Sequence, residues 1–246
     1  MSSAEGADWA GKPVLRIAGD MGILVEFGDA YAPAVSNAVL AFDAAIRQMT
    51  LAGVIETVPT FRSVLVRFDP LELPFDRLEA RLGAMLAERD WYLAPPPQGR
   101  REWVLPAVYG GASGPDLAEV ADLAGLREDQ VAGAHSADPL TVAMLGFSPG
   151  LAYLGQLAQN WNIPRRTGIT PGVPAGAVLV AVRQTVLPAT PIPTGWRQIA
   201  RTPFRGFDPR RSPPFLLSPG DLVRFQPVSE AQIAGFDMDE FMKGQP

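Results

Sequence analysis

Cysteine is absent from this 246-residue chain, which removes disulfides, zinc–thiolate sites and a cysteine nucleophile together. Histidine is nearly absent. His135 stands alone, so no multi-histidine metal centre can form within the chain, and no metal site is expected. No apolar run approaches the roughly 18 residues that a membrane helix needs, and none is expected to enter a membrane. Positive charge is sparse and scattered: 21 basic against 26 acidic residues leave a net charge of −5. Nucleic-acid binding through phosphate contacts needs a positive patch, and none is visible. Residues 1–9 lack a basic n-region and an apolar h-region, so no secretory signal is expected and a cytoplasmic, soluble protein is the reading. No Gly-x-x-x-x-Gly-Lys-Ser/Thr occurs, which leaves the chain without a phosphate-binding loop of that type.

What is present describes a globular chain with a sizeable core: 47% hydrophobic and 19% charged residues. Its 24 glycines and 25 prolines concentrate after Pro95. Ala94-Pro95-Pro96-Pro97-Gln98-Gly99 reads as a linker, because consecutive prolines favour extended structure and break helix and sheet. The expected domains are residues 12–93 and residues 101–230.

Residues 1–11 read as a disordered lead. Residues 14–17 and 23–27 read as strands around a Gly19-Asp20-Met21-Gly22 turn. From Pro33 the apolar residues Val35, Ala38, Val39, Phe42, Ala45, Ile46 and Met49 follow helical spacing, with proline suited to the first turn. Strands at 54–58 and 64–68 and a helix through Phe75, Leu78, Leu82, Met85 and Leu86 complete a small two-layer α+β domain. Arg62 and Glu56 read as solvated charges there.

After the linker, residues 101–109 read as a strand. Residues 116–126 and 127–131 read as two short helices around Gly125, like a DNA-reading helix pair. Glu128 and Asp129 sit where phosphates would lie, which argues against nucleic acid. Residues 173–182 read as a turn and a core strand, and 195–202 as a half-buried strand. Residues 215–217 and 222–225 read as a strand pair around Pro219-Gly220-Asp221, and 229–246 as a short helix with a frayed end. Short strands with Gly/Pro turns at this density suggest a β-barrel or sandwich.

The most informative stretch runs from Thr141 to Leu157. An apolar strand, Thr141-Val142-Ala143-Met144-Leu145, breaks at Gly146-Phe147-Ser148-Pro149-Gly150, with Tyr153 just beyond. A core strand running into a rigid Gly/Pro turn flanked by aromatics is how a scaffold presents a binding loop. His135 lies just before that strand. It is the one side chain here with an unperturbed pKa near neutrality, and also a candidate for a capping or packing role.

Taken together, Tyr109-Gly110-Gly111, His135-Ser136, the 146–155 loop, Pro164-Arg165, Val173-Pro174-Ala175-Gly176, Gln184-Thr185, Gly195-Trp196, Arg201-Thr202-Pro203, Phe207-Asp208-Pro209 and Pro219-Gly220-Asp221 form an ordered set. It resembles the family of the B-type subunit of 5-oxoprolinase, also called the sporulation-kinase-inhibitor, allophanate-hydrolase-subunit-1 or carboxyltransferase-domain family. The resemblance implies an α+β N-terminal domain followed by a cyclophilin-like β-barrel. It implies an ATP-dependent cyclic amide hydrolase that opens the lactam of 5-oxoproline to glutamate, with a homologous C-type subunit and an ATP-using A-type subunit as partners. A histidine-kinase-inhibiting regulator and an allophanate- or urea-carboxylase-related subunit are the alternatives.

The implied site has His135 for proton transfer, Arg165 for a substrate carboxylate or phosphorylated intermediate, and Gln184 as catalytic candidates. Backbone N–H groups of the 146–150 turn would meet a developing oxyanion. Phe147, Pro149, Gly150, Tyr153, Thr185 and Gly176 would bind the substrate. Departures from the family pattern cluster at that pocket. Leu151 stands where the second aromatic is usual, and Val186-Leu187-Pro188-Ala189 follows Gln184-Thr185 in place of a glycine and a tyrosine. Pro191 and Thr170 replace an acidic residue and an arginine.

Overall fold

In a computed structural model, residues 11–245 are described; the lead expected for residues 1–11 lies outside them except for Gly11, as do the secretory-signal positions. The chain divides into two compact units between Gln98 and Gly99.

In the first unit β1 (Val14–Ile17), β2 (Gly22–Glu26), α1 (Pro33–Met49), β3 (Val54–Pro59), β4 (Ser63–Phe68) and α2 (Phe75–Ala87) follow in chain order. The strands form one antiparallel sheet in the order β1-β2-β4-β3. Helical spacing turns Val35, Ala38, Val39, Phe42 and Ile46 of α1, with Leu78, Leu82 and Met85 of α2, onto Ile23, Val25, Val64, Val66 and Phe68. Trp91 closes that core edge-on to Phe42, with its Nε1–H donated to the Met85 carbonyl at 3.2 Å. Glu56 lies out on the surface against Arg67. Arg62 does more than face solvent: it holds Glu26 and the Gly28 carbonyl at 2.5 and 2.6 Å.

The second unit contains β5 (Glu102–Tyr109), α3 (Leu117–Ala124), α4 (Glu128–Ser136), β6 (Leu140–Leu145), β7 (Ala152–Gly155), β8 (Thr170–Val173), β9 (Ala177–Ala181) and β10 (Gln184–Leu187). It continues with β11 (Ile192–Thr194), β12 (Arg197–Arg201), β13 (Leu222–Pro227), α5 (Glu230–Ile233) and α6 (Met238–Lys243). Seven strands close a barrel in the order β10-β7-β6-β13-β5-β12-β9, and β8 pairs with β11 apart from it. The fold is therefore mixed α and β with a closed barrel, as the family resemblance implies; the strand pattern alone leaves barrel and sandwich open.

Every barrel strand contributes to one core cluster, among them Trp103, Leu105, Val142, Leu154, Val178, Val180, Leu187, Ile199, Val223 and Phe225, so that cluster is the interior. Leu117, Val120, Ala121, Ala124 and Val131 from α3 and α4 join it. A second cluster forms on the outer face: Leu151, Ala177, Leu179, Ala181, Val186 and Trp196, closed by Val173 and Ile192 of the β8–β11 pair. Covering both faces explains why every residue of β9 is buried. It also corrects the half-buried reading of 195–202, since Arg197 through Ala200 are all buried.

Two further expectations change. Residues 215–217 form no ladder; Phe215 makes an isolated bridge to Phe207. Pro213, Pro214 and Pro219 remove the N–H groups a ladder requires. β13 pairs instead with β5 in parallel and with β6 antiparallel. The second short helix does not end at Val131 but continues to Ser136, which puts His135 on its last turn.

Among the described residues no helix is long and apolar enough to cross a membrane.

A candidate anion-binding face on the barrel wall

The bend between β6 and β7 is tight. Gly146 donates to the Leu151 carbonyl and Leu151 to the Ser148 carbonyl, each at 3.1 Å. Phe147 takes φ +72°, a left-handed conformation costly for a bulky residue, and its ring is 73% exposed. Gly150 has φ +71°, and a Cβ there would come within 2.4 Å of the Phe207 Cβ and 3.0 Å of the Ala189 Cβ. Glycine is required on both counts. Among the described residues no acceptor meets the N–H of Phe147, Ser148 or Gly150, and the Ser148 Oγ is buried without a partner.

Directly opposed residues in a sheet share a face. Tyr153 opposes Val186, Gly155 opposes Gln184, and Leu154 opposes Thr185. Val186 belongs to the outer cluster and Leu154 to the interior. Gln184 therefore stands on the outer face with Tyr153, while Thr185 points into the barrel.

The outer face carries an aromatic–cation stack. The Arg165 guanidinium lies 5.2 Å from the Trp196 ring centroid, and Tyr153 meets the same indole edge-on at 6.2 Å. Burial raises the Tyr153 phenol pKa, and the Arg165 charge opposes that rise. Among the described residues no carboxylate pairs with Arg165. Its neighbour Arg166 is engaged by Asp116 and Glu119, and Arg197 by Glu119 at 2.7 Å. Arg165 thus presents an unused fork of N–H donors, held on a flat apolar support.

The inner face carries a closed network. His135 is 1% exposed. Its Nδ1 lies 2.7 Å from the Tyr109 hydroxyl and its Nε2 2.8 Å from the Thr185 Oγ1. Its ring packs against Trp161 and Phe225, at centroid distances of 5.7 and 5.1 Å. A neutral imidazole satisfies both hydroxyls in either tautomer. Burial alone drives its pKa down to about 3 and pushes the Tyr109 phenol up, so both stay uncharged at neutral pH.

The expected site residues thus divide between two sides of one wall. Tyr153, Arg165 and Gln184 share the outside, and Phe147, Pro149 and Gly150 form the bend that leads into it. His135 and Thr185 sit within. Gly176 leads into β9 at φ +79°, its N–H donated to the Pro188 carbonyl at 2.8 Å, and a Cβ there would come 2.1 Å from the Thr202 carbonyl oxygen. The sequence motifs contain Trp196 but assign it no role; an aromatic just before a buried strand was the available signal. Leu151, in place of the usual aromatic, is 1% exposed in the outer cluster. Among the described residues no group of three or more His, Asp or Glu side chains is arranged to hold a metal.

Comparisons with known proteins agree with this architecture. The model of the carboxyltransferase domain, subdomain C and D, matches residues 13–217. The B-type subunit of 5-oxoprolinase from Bacillus subtilis (strain 168) is 34% identical over 224 residues, covering 86% of this chain and 91% of the relative. The crystal structure of TTHA0988 superposes with a TM-score of 0.72 at 31% identity, covering 88% of this chain; the chain spans only 40% of that protein's length. The K. lactis urea amidolyase superposes with a TM-score of 0.74 over 98% of this chain and 17% of its own. At 18% identity that likeness concerns the fold alone. The chain belongs to the carboxyltransferase-domain family, subdomains C and D, which includes the B-type subunits of 5-oxoprolinase.

Proposed function

We propose that this chain is the B-type subunit of an ATP-dependent 5-oxoprolinase, a cytoplasmic complex that hydrolyses the lactam of 5-oxoproline to glutamate. The observation that carries the reading is Arg165, stacked on Trp196 beside Tyr153 with no carboxylate partner among the described residues. Kinship with the B-type subunits of 5-oxoprolinase supports it. Arg165 takes the substrate carboxylate in its fork. Gln184 supplies a neutral hydrogen bond, and Tyr153 packs against the ring of the substrate.

Lactam hydrolysis breaks the amide C–N bond, adds water oxygen to the carbonyl carbon and leaves a proton on nitrogen. The N–H groups of Phe147, Ser148 and Gly150, which meet no acceptor among the described residues, serve the developing oxyanion. The exposed Phe147 and the rigid Pro149 shape the pocket rim. His135 and Thr185 act from within the barrel, as positioning residues that fix the backbone of β10 under Gln184. A ring with its pKa near 3 is a poor proton carrier at neutral pH.

ATP use falls to an A-type partner, consistent with the missing Gly-Lys phosphate loop, and a homologous C-type subunit completes the site. Co-expression with both partner subunits, followed by an ATP-dependent assay of 5-oxoproline conversion to glutamate, tests the proposal. Turnover only when all subunits are present supports it. A complete complex that forms but releases no glutamate refutes it.

A further inference from the structure

The arginines of the second unit are mostly neutralised in place: Arg166 and Arg197 by Glu119, Arg210 by Asp208, Arg211 by Asp239. Arg201 and Arg205 are not. Among the described residues Arg205 reaches only the Pro203 and Phe204 carbonyls next to it in sequence, at 3.3 and 3.2 Å. Arg201 is exposed and, like Arg205, has no carboxylate partner among the described residues. The two are near enough that the charge on Arg201, after desolvation, lowers the pKa of Arg205. Like charges so placed, one of them partly buried, destabilise the fold unless an anion offsets them.

Arg205, but not Arg201, lines a surface cavity of about 640 Å³ together with Asp208, Arg210, Arg211, Phe236 and Met238. Asp237 and Asp239 also line it, but each carboxylate there is already engaged. Asp208 and Asp239 are bound to Arg210 and Arg211, and Asp237 caps the first turn of α6 through the N–H groups of Asp239 and Glu240. On its other side Arg205 abuts the Gly176 turn: a Cβ on Gly176 would lie 2.8 Å from the Arg205 Nη1. Arg201 opposes Ala177, the next residue. The Arg205 guanidinium and the Arg201 backbone therefore flank the adjacent residues 176 and 177.

We propose that Arg201 and Arg205 form an anion site, in addition to Arg165, for a phosphate or phosphoryl dianion. Two unshared positive charges are balanced by a dianion, whereas a monocarboxylate leaves one of them uncompensated. Guanidinium forks suit the tetrahedral oxygens of phosphate. The site does not depend on the lactam-opening reading, and its failure would leave that reading standing.

Isothermal titration of the full chain with inorganic phosphate tests it, with acetate as the monocarboxylate arm. Saturable phosphate binding is expected, at least about tenfold tighter than acetate. Arg205→Ala and Arg201→Ala each weaken it about tenfold or more, and Arg205→Lys weakens it less. Arg224→Ala, whose guanidinium is held by Glu102 outside that cavity lining, leaves it unchanged. Arg201 is exposed, so Arg201→Ala keeps the fold even where Arg205→Ala perturbs it; circular dichroism checks both. Absence of saturable binding, equal binding of phosphate and acetate, or phosphate affinity unchanged in Arg201→Ala overturns the proposal.

Discussion

Gln184 and Thr185 are consecutive on β10, yet they serve opposite sides of the barrel wall: Thr185 bonds His135 at 2.8 Å inside, and Gln184 stands outside with Tyr153. The period of two along a strand imposes this split. Substitutions at the two positions should therefore have different consequences. Gln184→Ala is expected to lower the kcat/KM of the complex about tenfold while leaving the melting temperature of the chain nearly unchanged. Thr185→Val strips the partner from the His135 Nε2, and should cost about 1–3 kcal/mol of stability in urea titrations. The same activity loss without destabilisation at both positions would contradict the division.

His135 makes the fold acid-sensitive. Its folded pKa lies at about 3, below the unfolded value of about 6.5. The unfolded chain therefore binds the proton first. Stability attributable to this ring is complete above pH 6.5 and is lost as pH falls toward 3, at up to about 1.4 kcal/mol per pH unit. Urea titrations between pH 4 and 7 should show a shallower slope in His135→Asn than in the wild type, although the variant is less stable at pH 7. Parallel slopes would show that His135 does not titrate in this way.

Glu119 adds to the same acid sensitivity from the barrel exterior. Its hydrogen bond to Arg166 leads the causes that lower its pKa, so its ion pairs are made at neutral pH and lost as pH falls through the carboxylate range. Glu119→Gln should reduce the stability difference between pH 7 and pH 4, read from the same titrations.

Gly150 is irreplaceable on steric grounds. Gly150→Ala places a methyl 2.4 Å from the Phe207 Cβ at φ +71°. A loss of about 2 kcal/mol or more is expected, together with displacement of the bend that carries Phe147. Thermal melts and turnover of the complex should fall together.

Val182 is the opposite case. It forms with Arg183 the two-residue turn between β9 and β10, with φ values of +44° and +63°. Both residues therefore take the positive φ of a type I′ turn, which favours asparagine and glycine over a β-branched side chain. Val182→Gly should raise stability by about 0.5–1 kcal/mol. A fall in the urea midpoint would contradict this.

Much of the fold was legible in the chain. The spacing of Val35, Ala38, Val39, Phe42 and Ile46 marks α1, because helix periodicity survives in sequence. The continuous apolar run at 177–182 marks β9, because a strand buried on both faces shows no polar alternation. The path of residues 215–217 was not legible, since an apolar triplet says nothing of ladder partners and its flanking prolines decide the matter. The site was half legible. Motifs collected Arg165, Tyr153, Gln184, Thr185 and His135, but which side of the wall each one faces depends on the β7–β10 register and on the length of α4. Both are settled by tertiary packing. The stacking of Arg165 on Trp196 joins residues from separate loops, a pairing with no local signature.

The outer face, rather than the buried histidine, is proposed to meet the substrate carboxylate. Steady-state kinetics of the assembled complex with Arg165→Ala and Arg165→Lys test this most directly. A fall in kcat/KM of about 100-fold or more is predicted for Arg165→Ala, partly restored by Arg165→Lys, with an unchanged melting temperature. A kcat/KM within about twofold of wild type in Arg165→Ala would contradict it.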